Sequence, residues 1–390
     1  MNDTYDVAVI GGGLLGCATA YYLARAGAGV LLLEKDQIGR HASGQNAGSL
    51  HFQLEYRMIE QGRKAAREAA RALPLHLDAI TAWRDLPQEI GEDCGVVQNG
   101  GLMLAETPHQ IGLLTEKAEL ERSLGLDVTL LEGPALREHA PYLSTKVTAA
   151  AYMPHEGKAN PRLVTPALAR AAAARGAEIR VRSPLTELIR GAGRWRLGCA
   201  DGFRARAQTV VIAAGVWTDQ VAGMADVRLP VTPVALQMLA TARTAPFLPH
   251  LVQHVGRRLS LKQTSEGNVL IGGGWPSAFV IREGRTDVDS PPGLRHSSII
   301  GNLDAASVIP GIRPLPVLRA WSGTTTLTPD QLPLIGEVPR RPGLYAATGG
   351  SAFTLGPTYA RLLSETILTG TASLPLGPYS PARFGFLNAA

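Results

Sequence analysis

The first residues that could do chemistry are three glycines in a short turn, followed some way along the chain by a single acid. Gly11, Gly13 and Gly16 stand between an apolar run and an alanine-rich segment, and Glu34 ends the next apolar run. At this spacing the first glycine allows a tight turn, the second lets the backbone approach a diphosphate, and the third allows close helix–strand packing. Glu34 can accept hydrogen bonds from a ribose diol. The pattern predicts a dinucleotide site.

The segments around these residues predict the βαβ unit that would position them. Residues 5–10 form an apolar run typical of a buried parallel strand, and we expect a helix from 14 to 26 and a second strand from 30 to 34. The helix begins directly after the glycine turn, so its free N–H groups and positive dipole end would face the phosphates. The glycines and Glu34 therefore occur where a Rossmann unit requires them.

Two later segments favour FAD over NAD as the dinucleotide. Residues 41–48 (HASGQNAG) supply Ser43, Asn46 and several small residues, a composition that suits a loop along a pyrophosphate and under a flavin ring. Residues 210–218 (VVIAAGVWT) form an apolar strand that ends in Ala-Ala-Gly, so another stretch of backbone can approach the same nucleotide. An NAD(P)-dependent dehydrogenase is the alternative.

Apolar periodicity and breaker residues predict the elements of the remaining chain. They are helices at 55–83 (with Pro87 closing that segment), 108–124, 161–175 and 291–308, strands at 177–181 and 209–215, an alternating sheet at 229–272, and a strand, loop and helix at 344–368. Asn160 and Pro161 are a typical cap and first-turn pair for the helix at 161–175.

Parallel-type strands near the start, at 209–215 and at 344–348 enclose the antiparallel stretches. We therefore expect an α/β fold with a Rossmann-type FAD-binding domain assembled from separated segments, plus an α+β substrate domain with a mainly antiparallel sheet. The expected FAD-binding domain covers 1–83, 150–225 and 320–390, and the expected substrate-binding domain covers 84–149 and 226–319. A chain of 390 residues is long enough for two domains.

Composition argues against several other classes of protein. The net charge is only +5, and no Lys/Arg run with interleaved aromatic residues predicts nucleic-acid binding. Cys17, Cys94 and Cys199 have neither disulfide-framework nor zinc-site spacing, so we expect no metal site. The N-terminus enters a strand without a signal-peptide pattern, and no apolar run reaches about 18 residues. We expect a cytoplasmic enzyme without a transmembrane segment.

Several motifs, taken in order, resemble the D-amino-acid oxidase-like flavoprotein family, which includes glycine oxidase, sarcosine oxidase, and opine oxidase and proline dehydrogenase subunits. After the glycine turn come Gly157 with Asn160-Pro161, then Ala213-Ala214-Gly215-x-Trp217, residues 321–336 (WSGTTTLTPDQLPLIG) and residues 348–357 (TGGSAFTLGP). The likeness spans nearly the whole chain, and the order of these motifs is more specific than any one of them.

The resemblance implies that FAD is held by residues of several segments, from the glycine turn to the loop before the last helix. These residues are Gly11, Gly13, Gly16, Glu34 and Lys35 for the ADP half, Ser43, Asn46, Ala47 and Gly48 along the pyrophosphate and flavin, the backbone of Leu185 at the adenine end, Ala214, Gly215 and Trp217 after the later strand, and Gly350, Ala352, Phe353 and Thr354 towards the flavin's pyrimidine side. Gly323 stands where some sarcosine oxidases carry the cysteine that binds flavin covalently, so we expect noncovalent FAD.

The resemblance also implies oxidation of a C–N bond, with hydride passing to flavin N5 and hydrolysis of the resulting imine. Amino-acid oxidases of the family often carry an arginine for the substrate carboxylate at the position of Thr325, and a hydroxyl cannot replace that bidentate clamp. Other candidates for the substrate site are His51, Arg57 and Lys262, with Arg282 as a further cation. Each of these residue types also fits a surface or packing position.

We therefore expect a small amine or amino acid as substrate, and the absence of the arginine favours a secondary amine such as an opine, an N-substituted amino acid or a proline derivative. Related opine and proline dehydrogenase subunits work in hetero-oligomers, which points to an electron-accepting partner subunit. Besides an NAD(P)-dependent dehydrogenase, the altered residues at 324–326 and 351–352 leave open a flavin-binding subunit without catalysis.

Overall fold

Two eight-stranded sheets form the framework of the chain, and the first draws its strands from widely separated segments. The computed structural model describes residues 4–388. In spatial order the first sheet contains Pro333–Glu337, Leu344–Gly349, Arg204–Ile212, Thr4–Ile10, Val30–Leu33 and Glu178–Arg180, with Arg194–Cys199 and then Leu185–Gly191 joined beside Arg204–Ile212. The pairs from Leu344–Gly349 to Glu178–Arg180 are parallel, whereas Pro333–Glu337 is antiparallel to its neighbour.

The first sheet is built as the apolar runs predict. Val30–Leu33 is buried along its whole length, and helix Leu14–Arg25 packs on the sheet between helices Pro161–Ala174 and Gly356–Thr369. The carboxyl ends of parallel strands meet at one edge of a sheet, which brings together the segments that follow Ile10, Leu33 and Ile212. The predicted Rossmann-type unit is confirmed.

The second sheet is mainly antiparallel, as the alternating pattern at 229–272 predicts. In spatial order it contains Val317–Leu327, Thr232–Arg243, Asn268–Gly272, Ser260–Gln263, Leu251–His254, Gly101–Ala105, Ala149–Met153 and Thr129–Glu132. One neighbouring pair, Leu251–His254 with Gly101–Ala105, is parallel. The mixture of a largely parallel and a largely antiparallel sheet confirms the expected fold class.

Helices connect many of the strands of the two sheets. Those in the described residues are Leu14–Arg25, Ala42–Gln45, Tyr56–Ile59, Arg63–Ala70, Leu73–Ile90, Pro108–Ser123, Gly133–His139, Pro161–Ala174, Thr218–Gly223, His296–Ala305 and Gly356–Thr369. Single 3-10 turns lie at Gly215–Trp217, Ala306–Val308, Pro310–Ile312 and Gly377–Tyr379, and a longer 3-10 segment with a kink at Phe384 covers Pro381–Asn388. Two short pairs, Ser49–Leu50 with Gly157–Lys158 and Val280–Arg282 with Arg285–Asp287, complete the strands.

The single long helix predicted at 55–83 is wrong. Three helices, Tyr56–Ile59, Arg63–Ala70 and Leu73–Ile90, cover this stretch. Gly62 interrupts them with φ +92°, a conformation in which a right-handed helix cannot continue. Pro87 does not close the segment either, because it lies inside the last of the three helices, which ends at the left-handed Gly91.

The helix predicted at 291–308 begins later than expected. It runs over His296–Ala305 and continues as a 3-10 turn, while Gly293 forms an antiparallel bridge with Ala278. Pro291 and Pro292 favour this extended start because their rings restrict the backbone before them.

Strand pairing disagrees with the predicted domain boundaries at two places. Ala149–Met153 and Val317–Leu327 hydrogen-bond within the second sheet, although the sequence division places residues from 150 and from 320 in the FAD-binding segments. The register of a strand depends on its neighbours in space, which the order of motifs does not reveal. The division into two domains stays a prediction.

Over residues 4–388, no helix combines the length and apolarity needed to cross a membrane. The cytoplasmic location stays a prediction.

Candidate functional site

A cavity of about 640 Å³ extends from the carboxyl edge of the first sheet to the second sheet. One end is lined by the glycine turn and Glu34, and the other by Leu236, Met238 and residues 323–326 of the second sheet. A volume of this order is typical of sites for small molecules and cofactors.

The glycine turn lines this cavity and leaves no room for side chains. Gly11 has φ +117°, and a Cβ atom there would lie 2.4 Å from the carbonyl oxygen of Ala213. A Cβ atom on Gly13 would lie 2.9 Å from Oγ of Ser43, which itself accepts a 2.9 Å hydrogen bond from the N–H of Leu14. The bare backbone at the start of helix Leu14–Arg25 is therefore exposed to a ligand, as an anion site at a helix N-terminus requires.

Glu34 lies at the end of Val30–Leu33 and is held by the backbone around it. Its carboxylate accepts hydrogen bonds from the N–H of Gly12 at 2.6 Å and from the N–H of Asp36 at 2.7 Å. Burial raises the pKa of Glu34, and the two backbone N–H groups oppose that shift. The carboxylate is thus fixed beside the glycine turn, where a ribose would meet it.

Lys35, Trp217 and Asp289 meet at the same end of the cavity. Nζ of Lys35 lies 3.7 Å from the centre of the Trp217 ring and forms an ion pair with Asp289. The indole N–H of Trp217 donates to Asp289 at 3.0 Å. Asp289 follows the short pair Val280–Arg282 with Arg285–Asp287, so the segment between strands Asn268–Gly272 and Val317–Leu327 of the second sheet supplies part of this wall.

The loop at 42–48 is held rigidly along one side of the cavity. The side-chain amide of Asn46 donates to the carbonyls of Ala42 and Ser43, and its oxygen accepts from the N–H of Gly48. The carbonyl of Gln45 accepts a 2.8 Å hydrogen bond from the indole of Trp321, which connects the loop to the second sheet.

The wall contributed by the second sheet carries no charged side chain among the described lining residues. Alternate residues of Thr232–Arg243 pack into the core on the far side, whereas Leu236 and Met238 face the cavity. Register places Gly323 opposite Leu236 and Thr325 opposite Val234. This end of the cavity therefore combines apolar groups with the neutral hydroxyl of Thr325.

The chain matches a family model described as "FAD dependent oxidoreductase" from residue 6 to residue 366. The chain belongs to this family. It is 28% identical to glycine oxidase of Geobacillus kaustophilus, covering 98% of both chains, and the structure of that oxidase superposes with a TM-score of 0.86 over 98% of this chain and 99% of the other. It is 25% identical to an opine oxidase subunit of Rhizobium meliloti over 97% of each chain.

A further relative is longer than this chain. Human mitochondrial sarcosine dehydrogenase is 27% identical over 98% of this chain, but the match covers only 42% of that protein. The family membership identifies the chain as an FAD-dependent oxidoreductase and decides for FAD over the NAD(P) alternative. The predicted family resemblance is confirmed.

The residues of the cavity fit FAD. The glycine turn has no side chains, so its backbone is open to a ligand. Glu34 presents a carboxylate for a ribose, and the wall formed by the second sheet presents neutral groups for a ring. These features suit, respectively, the diphosphate, the adenosine ribose and the flavin of the cofactor.

Most residues predicted to bind FAD line this cavity, together with one predicted substrate residue. They are Gly11, Gly13, Glu34, Lys35, Ser43, Asn46, Ala47, Leu185, Ala214, Gly215, Trp217, Ala352 and Phe353, with Thr325 from the substrate set. Their individual contacts with FAD stay predictions.

Four other predicted FAD residues lie outside the lining. Gly16 and Gly48 are packed against backbone, since a Cβ atom would lie 1.9 Å from the oxygen of Gly11 in the first case and 2.1 Å from that of Ala159 in the second. Thr354 donates to the carbonyl of Ser49, and Gly350 lines a second, smaller cavity of about 260 Å³. Spacing alone cannot distinguish a residue that touches the ligand from one that supports the turn.

Three predicted substrate residues also lie outside the lining of the FAD cavity. Arg57 lines the smaller cavity and donates to Gln331, Glu55 and Ser351, so its guanidinium is already bonded to protein. Burial favours a higher pKa for Glu55, but Arg57, together with His51 and His76, lowers that pKa to about 2. His51 and Lys262 lie close together beside the second sheet. Arg282 is on the exposed short strand pair and bonds Asp287.

Sequence reasoning missed several residues of the cavity wall. Leu236 and Met238 belong to the alternating pattern at 229–272, but the pattern does not tell which of its two faces meets the cavity. Asp289 carries no local signal, because only the fold brings it to Lys35 and Trp217.

Denaturation is expected to release FAD into solution, because the described lining contains no cysteine. Cys17, Cys94 and Cys199 are free and buried elsewhere. Acid precipitation of the purified holoprotein should leave a colourless pellet and a supernatant with the absorbance of free FAD. A pellet that stays yellow after washing would contradict noncovalent binding.

Proposed function

We propose that this enzyme oxidises the C–N bond of a secondary amine, such as an N-substituted amino acid, an opine or a proline derivative. The observation that carries the proposal is the neutral wall at the flavin end of the cavity, where Thr325 stands beside Leu236 and Met238. Relatives named as a glycine oxidase, a sarcosine dehydrogenase and an opine oxidase support the amine or amino-acid class.

When bound, FAD accepts the hydride that leaves the carbon of the C–N bond. The wall residues favour the reactive form of the substrate, because an apolar surrounding disfavours an ammonium ion and leaves the nitrogen lone pair free. Leu236 and Met238 would pack against the carbon substituents and exclude water, while Thr325 can donate a hydrogen bond to an oxygen or accept one from N–H. Imine hydrolysis then gives a carbonyl compound and an amine.

An anaerobic reduction screen tests the proposed substrate class. The purified holoenzyme is mixed with sarcosine, proline, several opines and primary D- and L-amino acids, and bleaching of the flavin absorbance is followed. We expect fast reduction by one or more secondary amines and much slower reduction by the primary amino acids. Reduction by primary amino acids alone would overturn the preference, and bleaching by none of the compounds would revive a flavin-binding subunit without catalysis.

We also propose that electrons leave the enzyme through a partner subunit. The support is the likeness to the opine oxidase chain of Rhizobium meliloti, whose name describes it as one subunit of a larger assembly. The isolated chain should then reoxidise slowly in air and faster with an artificial electron acceptor. Fast hydrogen peroxide production by the chain alone would contradict the need for a partner.

A further inference from the structure

A group of polar side chains lies on the same face of the second sheet as Met238, outside the lining of the FAD cavity. Ser260 pairs with Gly272, and a Cβ atom on Gly272 would lie 2.3 Å from the sulfur of Met238. Because side chains alternate along a strand, Lys262 projects from the same face as Ser260. Gln253 stands opposite Ser260 on the next strand and shares that face.

His51 reaches this group from the segment that follows the flavin loop. Its Nε2 lies 2.9 Å from Oγ of Ser260, so it connects the segment after Gly48 with the second sheet. Burial lowers the pKa of His51 to about 4, which leaves the imidazole neutral at physiological pH. The group defined by His51, Gln253, Ser260 and Lys262, called the polar group below, thus joins the segment after Gly48 to strands Leu251–His254 and Ser260–Gln263 of the second sheet.

Polar atoms of this group lack hydrogen-bond partners although they are buried. Lys262 is only 3% exposed, and its Nζ has no partner among the described residues. Nε2 of Gln253 and Nδ1 of His51 are also buried without partners in this part of the chain. An unsatisfied buried polar atom is costly, so several of them together indicate a place for a ligand group that the protein itself does not supply.

The charges around Lys262 specify what that ligand group should be. The charged residue that acts on Lys262 is another lysine, Lys158, whose Nζ donates to the backbone carbonyl of Gln263 at 2.5 Å. Burial, and then this second cation, lower the pKa of Lys262 well below its ordinary value. Glu55 does not compensate, because its carboxylate is paired with Arg57 at 2.8 Å. A carboxylate would supply the hydrogen-bond partner that Nζ lacks and would favour the protonated form of Lys262.

We propose that Lys262 binds the carboxylate of an amino-acid substrate, with Gln253 and His51 as neutral neighbours. The inference rests on the proposed function and narrows its substrate class from secondary amines to secondary amines that carry a free carboxylate. It also explains how the enzyme binds a carboxylate although Thr325 is uncharged and the guanidinium of Arg57 is bonded to protein. The carboxylate is then bound by strand Ser260–Gln263 and not by strand Val317–Leu327, which carries Thr325.

The same lysine can take up the proton that the substrate must lose. An amino acid arrives with an ammonium group, whereas hydride can leave only when the nitrogen lone pair is free. In the proposed step an N–H bond of the ammonium breaks, the proton passes to Nζ of Lys262, and the electron pair stays on the substrate nitrogen. Lys262 becomes an ammonium ion beside the substrate carboxylate, so charge is conserved and the new cation has a partner.

The test compares substrates with and without a carboxylate. Proline is paired with pyrrolidine and sarcosine with dimethylamine, and the apparent Kd and the limiting rate of flavin reduction are measured anaerobically. The wild-type holoenzyme should bind the carboxylate-bearing member of the pair at least about tenfold more tightly, as expected for a charged hydrogen bond. Similar affinities for both members would overturn the inference without any variant.

The variant Lys262→Met removes the amino group that would take up the proton and bind the carboxylate, and it keeps an unbranched side chain that suits a buried site. We expect its apparent Kd for the amino acid to rise at least about tenfold, with the Kd for the decarboxylated amine changed by less than about twofold. Lys158→Met is the matched control, since it removes the neighbouring cation and should leave the preference for the carboxylate in place. FAD content per chain checks that each variant is folded.

The outcomes separate the inference from the proposed function. If the wild-type enzyme is reduced by both members of a pair and Lys262→Met retains the wild-type discrimination, the inference is wrong and the proposed function stands. If no amine reduces the wild-type flavin, the proposed function fails first, and the inference fails with it.

Discussion

Gly16→Ala is expected to weaken FAD binding by about tenfold to a hundredfold, which corresponds to the roughly 1–3 kcal/mol that overpacking costs. The Cβ atom of the new residue would lie 1.9 Å from the carbonyl oxygen of Gly11, which is backbone and cannot rotate away. Helix Leu14–Arg25 would have to move from the strand before it, and the turn around the diphosphate would widen. The measurement is the dissociation constant of FAD for refolded or FAD-stripped protein.

Gly112→Ala is the matched control for this prediction. Gly112 is also a helical glycine, but it is exposed and a Cβ atom there meets nothing within 4 Å. Alanine in an exposed helix interior is more favourable than glycine by roughly 1 kcal/mol, so the control should retain FAD and melt at the same or a slightly higher temperature. Equal FAD affinity in the two variants would show that Gly16 does not set the geometry of the turn.

Glu121→Ala is expected to destabilise the protein by about 3–5 kcal/mol, the cost of leaving a buried charge without its partner. The side chains of Lys117 and Glu121 are 1% and 0% exposed, and Nζ of Lys117 donates to Glu121 at 2.7 Å. Burial raises the pKa of Glu121, and Lys117 opposes that shift. Without the carboxylate, the buried ammonium of Lys117 would keep one hydrogen bond among the described residues, to the side-chain oxygen of Gln53.

The substitution Glu121→Ala would also remove a contact that holds the segment directly after His51. Glu121 also accepts the N–H of Leu54, and Glu156 accepts the N–H groups of Phe52 and Gln53. Two buried carboxylates thereby hold three consecutive backbone groups directly after His51. Burial raises the pKa of Glu156 to about 7. We expect Glu121→Ala to disturb the position of His51 as well as global stability.

A neighbouring acid provides the control for Glu121→Ala. Glu116 lies on the same helix and pairs with Arg63, but this pair is on the surface, with side chains 45% and 78% exposed. Exposed ion pairs contribute little, so Glu116→Ala should leave the denaturant midpoint nearly unchanged. The measurement is the midpoint of urea unfolding for both variants. Equal midpoints for Glu121→Ala and Glu116→Ala would mean that the buried pair is dispensable.

The nucleotide half of the site could be predicted from sequence because its signals are local. Gly11 has a φ of +117°, which favours glycine, and Gly13 and Gly16 occupy positions without room for a Cβ atom. Glu34 follows from the length of the helix between two strands. The substrate half could not be predicted in the same way. His51 and Ser260 are far apart in the chain, and only strand register and the path of the segment after Gly48 bring them to 2.9 Å.

The amino-acid sequence by itself determined the glycine turn, the FAD-dependent family, the Rossmann-type order of parallel strands and the mainly antiparallel second sheet. The glycine turn, the strands and the alternating sheet follow from short-range spacing and alternation, which depend on backbone geometry within a few residues. The family follows from the resemblance of several motifs in order along nearly the whole chain. Only the tertiary structure decided which face of the second sheet meets the cavity, that Arg57 is bonded to Glu55 and Gln331, and that Lys262 is buried without a partner among the described residues. Burial and charge pairing depend on residues distant in the chain, so no local pattern contains them.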